Sequence, residues 1–148
     1  MQHMAPPMTK PTRTITQRRL IPAGHVQVYE ALIDARKHAK FTGSKATCDP
    51  KVGGRFTAWD GYISGRNLIL EPGRRIVQEW KTTEWPAGYP PSSVEFTFKK
   101  KKDVTELRMV HSKVPAEQAS SYRQGWIDFY WKPLKKYFQQ TTHRAEAR

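Results

Sequence analysis

The hydrophobic pattern of the first forty residues predicts one strand followed by two short helices. The segment TRTITQRRLI (Thr12–Ile21) is rich in β-branched residues, which favour strands. Val26, Tyr29 and Ile33 then recur at helical spacing after a proline. The following ARKHAKFTG predicts a second short helix that ends at Gly43.

Residues 44–114 predict short strands joined by tight turns. The dipeptide Asp60–Gly61 is typical of a hairpin, and the segment EPGR suits a type II turn. Val94, Phe96 and Phe98 alternate with polar residues, as in a strand with one packed face and one wet face. We therefore expect an antiparallel sheet of about six strands.

From Pro115 to about Gln140 the pattern changes to that of one long amphipathic helix. Apolar and aromatic residues recur there every three or four positions, at Ala119, Tyr122, Trp126, Phe129, Tyr130, Leu134, Tyr137 and Phe138. Pro133 is expected to bend the helix, because its ring clashes with the preceding turn and its nitrogen cannot donate a hydrogen bond. A bent helix of this kind would lie across a curved sheet, with its rings facing the concave side.

The length of 148 residues predicts a single domain, which we place at residues 13–140. Residues 1–12 contain three prolines and little to bury, so a disordered tail is expected there. The polar residues 141–148 are expected to fray.

Cysteine content and hydropathy restrict the class of protein further. Cys48 is the one cysteine of the chain, which excludes an intramolecular disulfide and a cysteine-rich zinc site. No apolar run approaches the roughly 18 residues of a membrane span, and the first residues lack the apolar stretch of a signal peptide. We expect a monomeric cytoplasmic protein.

The charge is strongly basic, with 26 Lys and Arg against 13 Asp and Glu and a formal net charge of +13. The densest run, Lys99–Lys102, lies between two predicted strands, as in a solvated hairpin tip or a charged strand end. No nucleic-acid motif accompanies it. Solubility is the favoured explanation over specific nucleic-acid binding. Any such binding is expected to be weak, insensitive to sequence and steeply dependent on salt.

Strand alternation and helix spacing predict a set of residues that line a cavity between the sheet and the last helix. Apolar walls with a few polar groups are typical of a ligand pocket. The predicted lining residues are Phe56, Asp60, Gln78, Trp80, Phe96, Phe98, His111, Tyr122, Trp126 and Tyr130.

The polar members of this set have alternative roles. Asp60 precedes Gly61, and a role in the hairpin turn is favoured over a role in the cavity. Gln78 either faces the cavity or satisfies a strand end. His111 is interpreted more readily as a satisfied core histidine than as a catalyst. No carboxylate pair, metal-ligand spacing or activated nucleophile is evident, so we expect no catalytic residue, metal or cofactor.

The chain resembles the family of activator-of-heat-shock-chaperone-ATPase homologues. The resemblance covers about residues 13–140 and rests on FTG (Phe41–Gly43), GGRFTAWDGYISGRNL (Gly53–Leu68), PGRRIVQEW (Pro72–Trp80), WPAG (Trp85–Gly88) and RQGWIDFYWKPLKKYF (Arg123–Phe138). These segments are similar to the C-terminal domain of that cochaperone and its free-standing bacterial relatives, in the START-like superfamily of the birch-pollen allergen. The resemblance implies an α+β helix-grip fold.

Three functions are compatible with these observations. The first is a non-catalytic START-like domain that binds a small apolar or amphipathic ligand in the cavity. The alternative is a cochaperone-like partner of the large ATP-dependent heat-shock chaperone, as the resemblance implies. A cyclase-type enzyme that uses His111 or Asp60 as acid or base is the least favoured.

Overall fold

The computed structural model describes residues 10–146, with side chains up to residue 140. The strands are β1 (Thr12–Ile21), β2 (Thr47–Cys48), β3 (Arg55–Ala58), β4 (Ile63–Glu71), β5 (Arg75–Thr82), β6 (Ser92–Lys101) and β7 (Val104–Pro115). The α-helices are α1 (His25–Ile33), α2 (Ala35–Thr42), α3 (Ala119–Trp126) and α4 (Lys132–Glu146). Of the two predicted tails, residues 1–9 and 147–148 lie outside the described residues, whereas Thr12 belongs to β1 and residues 141–146 belong to α4.

The seven strands form one antiparallel sheet in the order β1-β7-β6-β5-β4-β3-β2. Consecutive strands from β2 to β7 are neighbours, and β1 pairs with β7 as the edge strand opposite β2. The count exceeds the predicted six because Thr47 and Cys48 pair with β3 as a very short edge strand. The helices pack against one face of the curved sheet, which confirms the predicted helix-grip fold with two short helices after the first strand.

The C-terminal helix (residues 119–146) follows a 3₁₀ turn at Ala116–Gln118 and contains one wide π-helical turn, Ile127–Trp131. In that turn the amide of Lys132 bonds the carbonyl of Ile127, five residues back. Pro133 follows immediately and has no N–H to bond the carbonyl of Phe129. π turns are rare and are frequently found at functional sites, and this one lies where the sequence predicted a bend.

The core lies between the sheet and the C-terminal helix. Side chains from both are fully or almost fully buried, including Ile15, Ile76, Leu107, Met109, Trp126, Trp131 and Leu134. Trp131 donates a hydrogen bond of 2.6 Å to Gln17 on β1, which ties the helix to the far edge of the sheet. The side of the helix that faces β3 and β4 instead borders a pocket.

Candidate functional site: an aromatic pocket

A pocket of about 370 Å³ lies between the β3–β4 turn and the C-terminal helix. It is lined by Trp59, Tyr62, Ile63, Trp80, Tyr122, Gly125, Trp126, Phe129 and Tyr130. Seven of these nine residues are aromatic and none carries a charge. The volume is in the range of natural small-molecule sites, roughly 300–1,000 Å³.

The β3–β4 turn supplies the outer wall of the pocket. Asp60 and Gly61 have φ of 55° and 88°, and the amide of Tyr62 donates to the carbonyl of Trp59 at 3.1 Å. Positive φ at both central residues is what a type I′ hairpin requires, which explains the Asp-Gly pair. The turn thereby places the rings of Trp59 and Tyr62 on the side of the C-terminal helix.

Phe129 and Gly125 form the helix side of the mouth. The Phe129 ring is 54% exposed and meets the Trp59 ring edge-on at a centroid distance of 5.4 Å. Gly125 leaves open space, because a Cβ there would meet only the Phe129 ring, at 3.9 Å. Deeper in the pocket, the Trp126 ring lies 5.7 Å from Trp80 and 4.7 Å from Tyr130.

The tyrosine hydroxyls of the pocket are already hydrogen-bonded to protein groups. Tyr62 donates to Glu84 at 2.5 Å, Tyr122 shares a bond of 2.7 Å with Thr82, and Tyr130 donates to Nε2 of His38 at 2.9 Å. Burial raises the pKa of all three tyrosines, so their hydroxyls stay protonated at neutral pH. The pocket walls are therefore neutral.

The indole nitrogen of Trp59, unlike the tyrosine hydroxyls, has an unused hydrogen-bond donor. Nε1 is buried and has no hydrogen-bond partner among the residues that the structure describes. Trp59 opposes the burial-driven rise in the pKa of Tyr130, but its Nε1–H makes no hydrogen bond to that hydroxyl. A buried N–H without an acceptor costs roughly 1–3 kcal/mol, so an acceptor supplied from outside would be favoured there.

His111 belongs to the core behind the pocket. Ser92 donates to the carbonyl of Trp80 at 2.6 Å and therefore accepts from Nε2–H of His111 at 2.8 Å, while Trp126 donates to Nδ1 at 3.0 Å. Both ring nitrogens are satisfied in the neutral tautomer, and burial lowers the pKa of His111 to about 3. His111 is a core histidine, as favoured from the sequence, and does not line the pocket.

Gln78 is buried and holds a loop in place. Its amide donates to Oδ1 of Asn67 at 2.9 Å, and Asn67 donates to the carbonyl of Asp49 at 3.0 Å. The pair connects β4 and β5 to the segment that precedes β3. Gln78 thus faces inward, as the strand alternation predicted, but its hydrogen bonds stabilise the sheet and the loop before β3.

Four of the ten predicted residues line the aromatic pocket: Trp80, Tyr122, Trp126 and Tyr130. Phe56, Gln78 and Phe96 line a separate void of about 20 Å³, room for about one water molecule. Phe98 packs edge-on against Tyr29 of α1. Asp60 was wrongly placed in the cavity, because it is exposed at the tip of the turn and its side chain bonds none of the described residues.

The sequence missed five lining residues: Trp59, Tyr62, Ile63, Gly125 and Phe129. Strand parity does not extend into the turn, so it gave no direction for the rings on either side of Asp60. The arrangement W-D-G-Y, with an aromatic residue on each side of a hairpin dipeptide, was the signal available. Phe129 stood in the predicted aromatic stripe but was not assigned to the cavity.

Other kinds of site find no support in residues 10–146. No group of three or more His, Cys, Asp and Glu residues there could hold a metal ion. Cys48 is half-buried, and burial raises the pKa of its thiol. No helix in this part of the chain is both long and apolar enough to cross a membrane.

Comparison with known proteins agrees with the resemblance seen in the sequence. Residues 23–139 match the family model described as "Activator of Hsp90 ATPase homolog 1-like protein". The human "Activator of 90 kDa heat shock protein ATPase homolog 1" is 31% identical over 128 residues, which cover 86% of this chain and 38% of the human protein. A Dictyostelium discoideum homologue is 30% identical over 122 residues, 81% of this chain and 32% of its own length.

The chain thus corresponds to under two fifths of the length of these curated relatives. A solved structure, an Hsp90 activator from Plasmodium falciparum, aligns with a TM-score of 0.73 and 24% identity, over 79% of this chain and 89% of that one. This structural likeness concerns the fold. Since the family model spans most of the domain, the chain belongs to the family of proteins like activator of Hsp90 ATPase homolog 1.

Proposed function

We propose that this domain is a cochaperone-like partner of the 90 kDa heat-shock chaperone. The observation that carries the proposal is the match of residues 23–139 to the activator family, together with 31% identity to a human protein named for that activity. The relatives are named as activators of another protein's ATPase, in agreement with the prediction that the domain is not itself an enzyme. The tyrosines of the pocket, and His38 and His111 next to it, are hydrogen-bonded and uncharged, so they offer no activated acid or base.

Direct binding tests this proposal. We expect the purified chain to bind the chaperone with a saturable isotherm in calorimetry and to change the chaperone's steady-state ATPase rate. The control is an unfolded chain, obtained by the core substitution Trp126→Ala at a temperature above its melting point. Absence of both binding and any rate change, at chaperone concentrations of about 100 μM, would contradict the proposal, because a Kd of that size would already half-saturate the chain.

A second candidate function, binding of a small apolar ligand, is favoured by the aromatic pocket. The unpaired N–H of Trp59 and the neutral walls define the ligand class. A carboxylate would lose its hydration with no cation to replace it, and burying an unpaired charge is unfavourable. The pocket therefore suits a neutral, largely aromatic molecule with one hydrogen-bond acceptor.

Filling the pocket at Gly125 tests this second function. The neutral naphthalene ketone dye prodan is expected to bind, quench tryptophan fluorescence and raise the melting temperature by mass action. Gly125→Leu should abolish these effects because its side chain projects into the pocket, whereas Gly125→Ala should keep them. Equal binding by Gly125→Leu, or equal binding of anionic 2-naphthoate by the unmodified protein, would exclude the proposed site.

A further inference from the structure

The outer face of the sheet carries arginines that lie directly opposite each other on neighbouring strands. Arg18 of β1 is in register with Arg108 of β7, and Arg55 of β3 is in register with Arg66 of β4. Like charges directly opposite on one face of an antiparallel pair are destabilising. All four arginines are exposed, so neither pair contributes to the core.

In each pair, only one of the two arginines has a carboxylate partner. Arg18 lies 3.7 Å from Glu106, and Arg66 lies 3.0 Å from Glu79. The second arginine of each pair is exposed and forms no hydrogen bond or ion pair with any side chain described, residues 10–140. An uncompensated cation therefore stands on the outer face at each end of the sheet.

The same register extends the charge across the sheet. Arg108 is opposite Thr97 of β6, which is opposite Arg75 of β5, and Arg75 is ion-paired with Glu95 of β6. With Arg18, these arginines span four adjacent strands, and neighbouring strands are about 4.8 Å apart. The row lies on a chain whose formal net charge is +13, so its field attracts anionic partners over about one Debye length.

Two features favour an acidic protein over a nucleic acid as the partner of this face. Carboxylates of Glu79, Glu95 and Glu106 lie between the cations of this face and would repel a continuous line of phosphates. Leu20 is 56% exposed beside the arginine row, and apolar contacts suit a polypeptide. We infer that the outer face of the sheet is a docking surface for an acidic polypeptide. This inference goes beyond the proposed function, because it rests on the charges of the sheet face and not on the family match.

Titration with poly-L-glutamate at low and physiological salt tests the surface. The variant Arg18→Gln/Arg108→Gln is expected to bind about tenfold more weakly, and its melting temperature should equal or exceed that of the unmodified protein because a repulsive pair is removed. The control, Lys135→Gln/Lys136→Gln on the exposed side of α4, removes the same charge elsewhere and should bind within about twofold of the unmodified protein.

Three outcomes would overturn the inference. Equal weakening by the lysine control would mean that net charge alone attracts the polymer. Tighter binding of a single-stranded DNA oligonucleotide of the same charge, lost in the arginine variant, would identify the face as a nucleic-acid surface instead. A fall in melting temperature of the arginine variant would show that the arginines serve the fold.

Discussion

Replacing Trp126 with alanine is expected to lower the free energy of unfolding by about 3–5 kcal/mol, the usual range for a buried aromatic residue. Trp126 is 3% exposed, and its ring contacts Trp80, Phe96 and Trp131. Its indole N–H also donates to His111, so the substitution leaves a buried acceptor without its donor as well as a cavity. Equilibrium unfolding in urea measures the loss.

The matched control is Phe129→Ala, one turn further along the same helix. Phe129 is 54% exposed at the pocket mouth, so its removal should change stability by less than about 1 kcal/mol. Equal effects of the two substitutions, or a near-neutral result for Trp126→Ala, would mean that the helix does not pack on the sheet as described.

Stability is expected to fall by about 3 kcal/mol between pH 7 and pH 4 through the titration of His111 alone. Burial holds the folded-state pKa near 3, whereas an unfolded histidine has a pKa of about 6.5. The unfolded chain therefore binds more protons throughout this window. The stability contribution of His111 is complete above about pH 6.5 and is lost progressively as the pH falls toward 3. Burial lowers the pKa of His38 also, which adds a loss in the same direction.

The variant His111→Gln isolates this effect. A glutamine can accept from Trp126 and donate to Ser92, so it keeps both hydrogen bonds without a titrating group. Urea unfolding at pH 7, 5.5 and 4 should give a clearly smaller pH-dependent loss for the variant than for the unmodified protein. Parallel pH profiles for the two would contradict the assignment of a buried neutral histidine.

The order of helices and strands could be predicted because the apolar residues of each element recur with a clear helical or strand periodicity. The alternation of Val94, Phe96 and Phe98 and the helical spacing of Tyr122, Trp126 and Tyr130 depend only on local sequence. The edge strand at Thr47–Cys48 escaped prediction because two residues carry no periodicity. The wide turn before Pro133 also could not be located in advance, since a proline predicts an irregularity but not the turn that accommodates it.

The pocket was predictable in place but only partly in composition. Its deep wall consists of residues on regular strands and helices, such as Trp80 and Trp126. The direction of these side chains follows from the periodicity of the strand or helix. Its outer wall depends on the left-handed backbone of the β3–β4 turn, which reverses the directions that alternation would give to Trp59 and Tyr62. Asp60 was misplaced for the same reason.

The proposed role as a chaperone partner is tested most directly by nuclear magnetic resonance of the ¹⁵N-labelled chain during titration with the unlabelled heat-shock chaperone. We expect saturable broadening or shifts of amide signals in a contiguous exposed surface. The indole signals of the buried Trp126 and Trp131 should keep their positions because the core is not rearranged. A spectrum that is unchanged in excess chaperone would contradict a role as chaperone partner.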